Sequence, residues 1–222
     1  MIAYETLRAR AAARKGGDEA LAALMPAIKT PAELAAIPDD RWLSMISRCV
    51  FQAGFSWSVV DKKWPGFETA FWGFDPARCR AMDDEAFDAL LRDTRIIRNG
   101  AKVRSVQLNA ALLMDLAAEH GGAAACFAGW PAEDYVGLLE MLKKRGDRLG
   151  GGAGAMAMRF MGRDGWVLSQ DVVKALVGAG IVDGPVTSMT AQRAIQKAFS
   201  GWAQESGAPF AHISRTLALS VD

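Results

Sequence analysis

An all-α fold, about ten short helices in two lobes, is the architecture that this 222-residue sequence predicts. Three observations carry the prediction. Apolar residues recur at three- and four-residue spacing, the period of one helix face. Strand signals are scarce, with few β-branched runs and no Asn-Gly turn set between alternating residues. The links between periodic stretches are short and hold Gly, Pro or Asp, the residues that stop and start helices.

The elements follow in order. Residues 1–37, Ala-rich and Arg-containing, read as an N-terminal helical extension ahead of a main domain at 38–222. Asp39–Ala53 places Trp42, Ile46, Cys49, Val50 and Ala53 on one face, with Asp39 or Asp40 as the expected cap. Ala86, Phe87, Leu90 and Leu91 share a face within 83–92. Val103, Val106, Ala110, Leu113 and Ala117 do so in 102–119, which ends at Gly121-Gly122. Pro131 opens a helix running to Arg145, and Met156–Met161 follows a Gly-rich link, so a hairpin is expected near 141–162. Asp171–Val177, Ser188–Trp202 and Ile213–Val221 complete the array.

Composition bounds the function. Half of the residues are hydrophobic, enough for a sizeable core. No apolar run reaches the roughly 18 residues of a spanning helix. The early basic residues lead into Gly16, Gly17 and Asp18, not an apolar signal core. The expectation is a cytoplasmic protein without a membrane partner. Cys49, Cys79 and Cys126 are widely spaced and predict free thiols; with His120 and His212 they form no zinc-spaced set, so no metal is expected. A net charge of +1 means that any DNA contact needs a local basic face.

The stretch Gln52-Ala53-Gly54-Phe55-Ser56-Trp57 is followed by Lys62-Lys63, Phe67, Ala70-Phe71 and Phe74-Asp75-Pro76. Ile96-Ile97-Arg98-Asn99, Lys102-Val103 and Asn109-Ala110 come next. Together these motifs resemble the 3-methyladenine DNA glycosylase I family, best over 43–118 and more loosely through Leu142–Gly146 and the glycines beyond. The resemblance implies a helix-hairpin-helix glycosylase fold. It implies an enzyme that flips a damaged purine out of double-stranded DNA and hydrolyses its N-glycosidic bond, acting as a monomer without cofactor. A divergent member is implied, because the Cys and His residues of the family's zinc clip are missing.

The resemblance also assigns roles. Trp57 matches the base-stacking tryptophan, where a cationic alkylated purine would lie on the indole; read from composition alone, the residue is a core or boundary aromatic. Phe55 and Trp64 are further aromatic candidates for a pocket wall or the core. Gln52 can donate and accept hydrogen bonds to a base, or pack its helix end. Cys49 stands where the family has a base-recognising glutamate, and a thiol there supplies a negative charge only if its pKa is depressed.

Leu149-Gly150-Gly151-Gly152-Ala153-Gly154 is the expected hairpin turn. Gly152 and Gly154, with Lys143, Lys144 and Arg148, would hold DNA phosphates through backbone N–H groups and cations; the plain alternative is a flexible loop beside a solvated basic helix end. Arg145, Arg159 and Arg163 belong to the same basic stretch. Lyase-competent relatives of the resembled superfamily carry a lysine just past these glycines; here Met156 or its neighbours take that place, so the resemblance implies no Schiff base and water as the nucleophile. Phe160-Met161-Gly162 and Val167–Val173 resemble the superfamily's segment bearing a catalytic aspartate, whose position falls on Ser169; the resemblance makes Asp171, two residues later, the candidate carboxylate, and the competing reading makes Ser169 a helix cap and Asp171 a first-turn acid. Asp61 and Glu68 read as surface helix residues. The alternative function is a catalytically silent glycosylase-fold protein that binds DNA or an adenine-like ligand. A helical interaction protein is the third reading.

Overall fold

A computed structural model describes residues 2–222, and every regular element among them is helical. In chain order these are α1 (Tyr4–Lys15), α2 (Asp18–Ala22), α3 (Pro31–Ala35), α4 (Asp39–Gln52), α5 (Trp57–Ala70), α6 (Pro76–Arg80), α7 (Asp84–Arg92), α8 (Gly100–His120), α9 (Ala123–Gly129), α10 (Tyr135–Arg145), α11 (Ala153–Met161), α12 (Gln170–Gly178), α13 (Met189–Ser206) and α14 (Phe210–Leu219). The number exceeds the expected ten because five-residue helices such as α2, α3 and α6 are too short to show a hydrophobic period. The long α5 also escapes a periodicity search, since Pro65 and Gly66 sit inside it. Gly66 has a steric reason. A Cβ there would lie 2.7 Å from the carbonyl oxygen of Arg95.

The chain divides into two compact units. One holds the chain up to Lys29 together with Pro131–Leu138 and Gly162–Asp222; the other holds Thr30–Trp130 and Leu139–Met161. The N-terminal helices thus pack in a unit that also contains the C-terminal ones, and the division falls elsewhere than at residue 37.

In the first unit α14 is the hub, packing against α1, α12 and α13. Trp166 is fully buried and meets Tyr135 and Phe199 with ring centroids 4.7 Å apart, and Phe210 at 5.4 Å. Asp164 accepts from the backbone N–H groups of Phe210 (3.2 Å) and Ala211 (2.7 Å), which satisfies the first donors of α14. Trp202 donates its indole N–H to the carbonyl of Ile2 at 2.9 Å and so fastens the chain start.

In the second unit the 21-residue α8 is the scaffold, contacted by α4, α6, α7 and α9. Asn99 caps it by accepting from Lys102 N–H at 3.1 Å. Pro38, not Asp39 or Asp40, holds the cap position of α4. Asp39 turns outward instead and accepts from Ala123 and Ala124 N–H at the start of α9, joining two helices that are far apart in sequence.

Beside α4 lies a stack of nearly parallel rings. Trp64 stacks on Phe67 (4.9 Å) and Phe74 (5.4 Å), and Phe71 stacks on Phe74 (5.4 Å). Trp72, Gly73 and Phe74 all take positive φ, a left-handed turn that costs the two non-glycine residues about 1–2 kcal/mol each. Full burial of the Phe74 ring offsets that cost. Arg41 closes the arrangement, with two 3.0 Å bonds to Glu68 and one of 2.6 Å to the Gly73 carbonyl. Ser44 donates to Glu68 at 2.6 Å and accepts from the Trp64 indole at 3.1 Å. Burial would raise the Glu68 pKa, but its bonds from Arg41 and Ser44 outweigh this and hold it below the usual range. Glu68 is therefore a strut between α4 and α5, not the solvated surface residue that its sequence position suggests.

Because the folded-state pKa of Glu68 is depressed, its contribution is complete above the unfolded value of about 4.3 and fades as pH falls. Glu68→Gln should lower stability by about 1 kcal/mol at pH 7, given the partial exposure of the pair. Urea titrations of both proteins should show that gap closing below about pH 4.

Candidate base-binding site

The QAGFSW segment spans the end of α4, a turn, and the start of α5. Lys102, 7% exposed, reaches the end of α4 from the first turn of α8. Its ammonium donates to the carbonyls of Phe51 (3.1 Å) and Ala53, oxygens that a helix C-terminus leaves without intrahelical donors. The same ammonium lies 4.4 Å from the centre of the Phe55 ring. Burial, with a smaller contribution from Arg148, pushes the Lys102 pKa down. The turn is thus held from beneath by a buried cation, a role that the Lys102-Val103 motif did not reveal.

The turn delivers two aromatic rings to the surface. Trp57 is 47% exposed and Phe55 39% exposed. Trp64 goes the other way, into the ring stack. The exposed Trp57 indole meets the ring of Phe160 edge-on, with centroids 6.1 Å apart. Phe160 is itself exposed and stands on α11, the second helix of the glycine hairpin. The stacking candidate and the hairpin helix therefore share one surface of one unit. Sequence reasoning passed over Phe160, although an aromatic at an exposed position of an apolar helix is a signal that a search could use.

Gln52 and Cys49 stand in the last turn of α4. Both are about 96% buried. The Gln52 amide donates from Nε2 to Asp61 Oδ1 at 2.9 Å, while its Oε1 is buried without a hydrogen-bond partner. Asp61 also accepts from Arg48 Nε (3.0 Å) and forms an ion pair with the Arg48 terminal nitrogen (2.8 Å), so it too does more than solvate a helix face. The Cys49 thiol is pushed up to about 12 by burial, only slightly opposed by Arg48. It stays neutral and supplies no fixed negative charge.

The hairpin joins α10 to α11 through residues 146–152. The buried Asn109 of α8 pins it, donating to the Asp147 carbonyl (3.0 Å) and accepting from Asp147 N–H (2.9 Å). Gly154 has a packing role, because a Cβ there would sit 2.7 Å from the Leu149 carbonyl oxygen. A Cβ at Gly152 would meet open space, so that exposed position carries no internal constraint. Lys143 and Lys144 are exposed and pair loosely with Glu140 at 3.3 and 3.9 Å. Arg148 is exposed beside Asp147 at 3.7 Å.

The rest of the basic stretch is not a free cationic face. Arg145 is engaged in two 2.7 Å bonds to Glu119, and Arg163 is 6% exposed and donates to the Asp164 carbonyl at 2.8 Å. Asp171 stands exposed in the first turn of α12, in the other unit. Ser169 caps that helix, accepting from Val172 N–H at 3.3 Å. Among the described residues, no group of three or more His, Cys, Asp and Glu stands together as a metal ion requires.

All three cysteines are buried and unpaired. Burial lifts the Cys49 and Cys79 thiols to about 12 and raises that of Cys126. Iodoacetamide at pH 8 should label them slower in the native protein than in urea by on the order of 100-fold. Rapid native labelling of Cys49, located by peptide mapping, would contradict its neutral, enclosed setting.

A family model described as methyladenine glycosylase matches residues 36–135. The DNA-3-methyladenine glycosylase 1 of Escherichia coli (strain K12) is 39% identical over 59 residues, which is 27% of this chain and 32% of that protein. A DNA-3-methyladenine glycosylase of Haemophilus influenzae is 37% identical over 59 residues, again 27% of this chain and 32% of its own length. The match thus spans about a third of these curated relatives. A crystal structure of a 3-methyladenine DNA glycosylase I superposes with a TM-score of 0.50 at 26% identity, covering 62% of this chain and 82% of that one. Its helices extend the likeness beyond the short aligned sequence, and the segment 36–135 is similar to the methyladenine glycosylase family.

Proposed function

We propose that the protein is a monofunctional DNA glycosylase that removes alkylated purines such as 3-methyladenine from double-stranded DNA, working in the cytoplasm as a monomer. One observation carries the reading: the half-exposed Trp57 indole faces the hairpin helix through Phe160, in a unit that contains most of the segment similar to the methyladenine glycosylase family. A purine inside a duplex is inaccessible to chemistry, so it must leave the stack and find a ring to replace its neighbours. Trp57 offers that ring, and an electron-rich indole favours a base made cationic by alkylation. Phe55 and Phe160 flank it. Gln52 contacts the base edge, with Cys49 packed as a neutral neighbour.

Phosphate contacts are assigned to the hairpin. Gly152 presents an open backbone position, Gly154 allows the turn to close, and Lys143, Lys144 and Arg148 supply exposed charge. No amine stands at the start of α11, where Met156 occupies the relevant place. Water is therefore the nucleophile: its oxygen bonds to the sugar C1′ as the C1′–base bond breaks, the base departs with the bonding pair, and the water gives up a proton to the Asp171 carboxylate to leave a C1′ hydroxyl. Asp171 is the carboxylate proposed to stabilise the cationic sugar and orient that water. Its support is its order in the chain and its exposure.

A second reading has its own observation. Cys49 brings no carboxylate to the base, and a scaffold that stacks a purine without charge complementarity can bind DNA or an adenine-like ligand without turnover. Release of free 3-methyladenine from methylated DNA separates the two. The enzyme reading requires release by the wild type. Trp57→Ala should then abolish release while the circular dichroism spectrum keeps its helical form, and Asp171→Asn should slow it by about 100-fold or more. Wild-type release by Trp57→Ala would remove the stacking assignment.

Affinity for a duplex containing an abasic-site analogue should fall with salt. Replacing Lys143, Lys144 or Arg148 by Gln should flatten the log–log slope by about 0.9 for each phosphate that the cation neutralises. An unchanged slope in the triple variant would take the hairpin out of the DNA interface.

A further inference from the structure

Gln52 ends α4 with a side chain whose two polar atoms are treated unequally. Its NH2 group is held by Asp61 at 2.9 Å, and its oxygen is buried without a partner. The carboxylate of Asp61 can only accept, so the amide cannot turn its oxygen that way. Asp61 is itself held by a hydrogen bond and an ion-pair contact from Arg48 to the same Oδ1 atom that Gln52 uses. The series Arg48–Asp61–Gln52 therefore fixes which way the amide points and leaves its oxygen as a buried acceptor without a partner.

Its position matters as much as its polarity. Asp61 follows Trp57 by four residues on α5, so the two side chains rise from the same helix face one turn apart. The locked amide thus stands one turn from the exposed indole. A buried acceptor with no donor is costly, and a ligand donor would relieve that cost. Cys49, three residues earlier on α4, is a neutral thiol and offers no competing carboxylate.

We infer that Asp61, braced by Arg48, is a specificity-determining positioning residue: it fixes Gln52 as a hydrogen-bond acceptor that selects a purine bearing an exocyclic amino group over one bearing a carbonyl at the same place. This rests on the proposed base-binding role of the Trp57 surface. The Gln52 oxygen is closed to solvent in the free chain, so the base opens that cover as it enters. A 6-amino group then donates to the waiting oxygen. A 6-oxo group brings lone pairs against lone pairs and leaves both acceptors unpaired. Sites built to complete such a bond discriminate far better than apolar pockets do.

Calorimetric titration with free 3-methyladenine and 3-methylhypoxanthine tests this, using the whole chain and the variants Asp61→Asn, Asp61→Leu and Gln52→Leu. Wild type should prefer the amino base by about tenfold or more. Asp61→Asn should keep the preference, because Arg48 still holds the Asn oxygen toward Gln52. Asp61→Leu frees the amide to rotate, and Gln52→Leu removes it, so both should bring the ratio close to one while binding of either base persists. A purely structural role for Asp61 would weaken both bases equally and leave the ratio unchanged, which overturns the inference. Retention of the wild-type ratio by both Asp61→Leu and Gln52→Leu overturns it as well. A wild type that binds neither base and releases none from methylated DNA would overturn the functional reading itself, and this inference with it. If Gln52→Leu fails to fold, the contrast between Asp61→Asn and Asp61→Leu decides alone.

Discussion

The Lys102 ammonium is taken largely out of water and set against the end of α4. A buried cation is expensive unless acceptors surround it, and here the Phe51 and Ala53 carbonyls meet that need. Those oxygens would themselves be unsatisfied at a helix C-terminus, so each side of the contact cures the other's deficit. The contact also joins α8, the scaffold of its unit, to the turn that carries the exposed rings. Remove it, and the direction in which the chain leaves α4 is no longer fixed; the surface placement of Phe55 and Trp57 depends on that direction.

Around this anchor the unit stiffens the same site from several sides. Arg41 and Glu68 hold α5 against α4 through a bidentate pair, and Ser44 relays the arrangement to the Trp64 indole. Asn109 holds the start of the hairpin by both of its amide functions. Polar side chains here serve the backbone more than they serve solvent. The Trp57 ring face and the Gln52 oxygen stand out because the groups around them are so fully used. Binding sites commonly keep such open functions, since a ligand must have something to complete.

Charge is held in the same way. The basic stretch around the hairpin contains six cations in sequence, but Arg145 is neutralised by Glu119 and Arg163 is enclosed in the other unit. Lys143, Lys144 and Arg148 remain exposed, each near one acid. A chain with a net charge of +1 can meet a polyanion only through such a local residue set. The carboxylates Asp61 and Glu68, unremarkable by sequence, are instead bound into struts.

The sequence by itself determined the helical class, because a 3.6-residue period needs only local information, and it carried the likeness to the methyladenine glycosylase family through QAGFSW and IIRN, whose residue order survives without any structure. It also located the longer helices, α4, α7, α8 and α13, within a few residues. It did not yield α5, where Pro65 and Gly66 break the local signal and a tertiary crossing with Arg95 explains the glycine. Nor did it yield which aromatic faces water: Trp57 and Trp64 lie seven residues apart on one helix, and their fates part only because α4 and the Phe74 turn cover one of them. Burial, hydrogen-bond partners and the neutrality of Cys49 are properties of what lies across the fold. A one-dimensional pattern records which residues are present, and only packing decides which of their atoms are left unpaired.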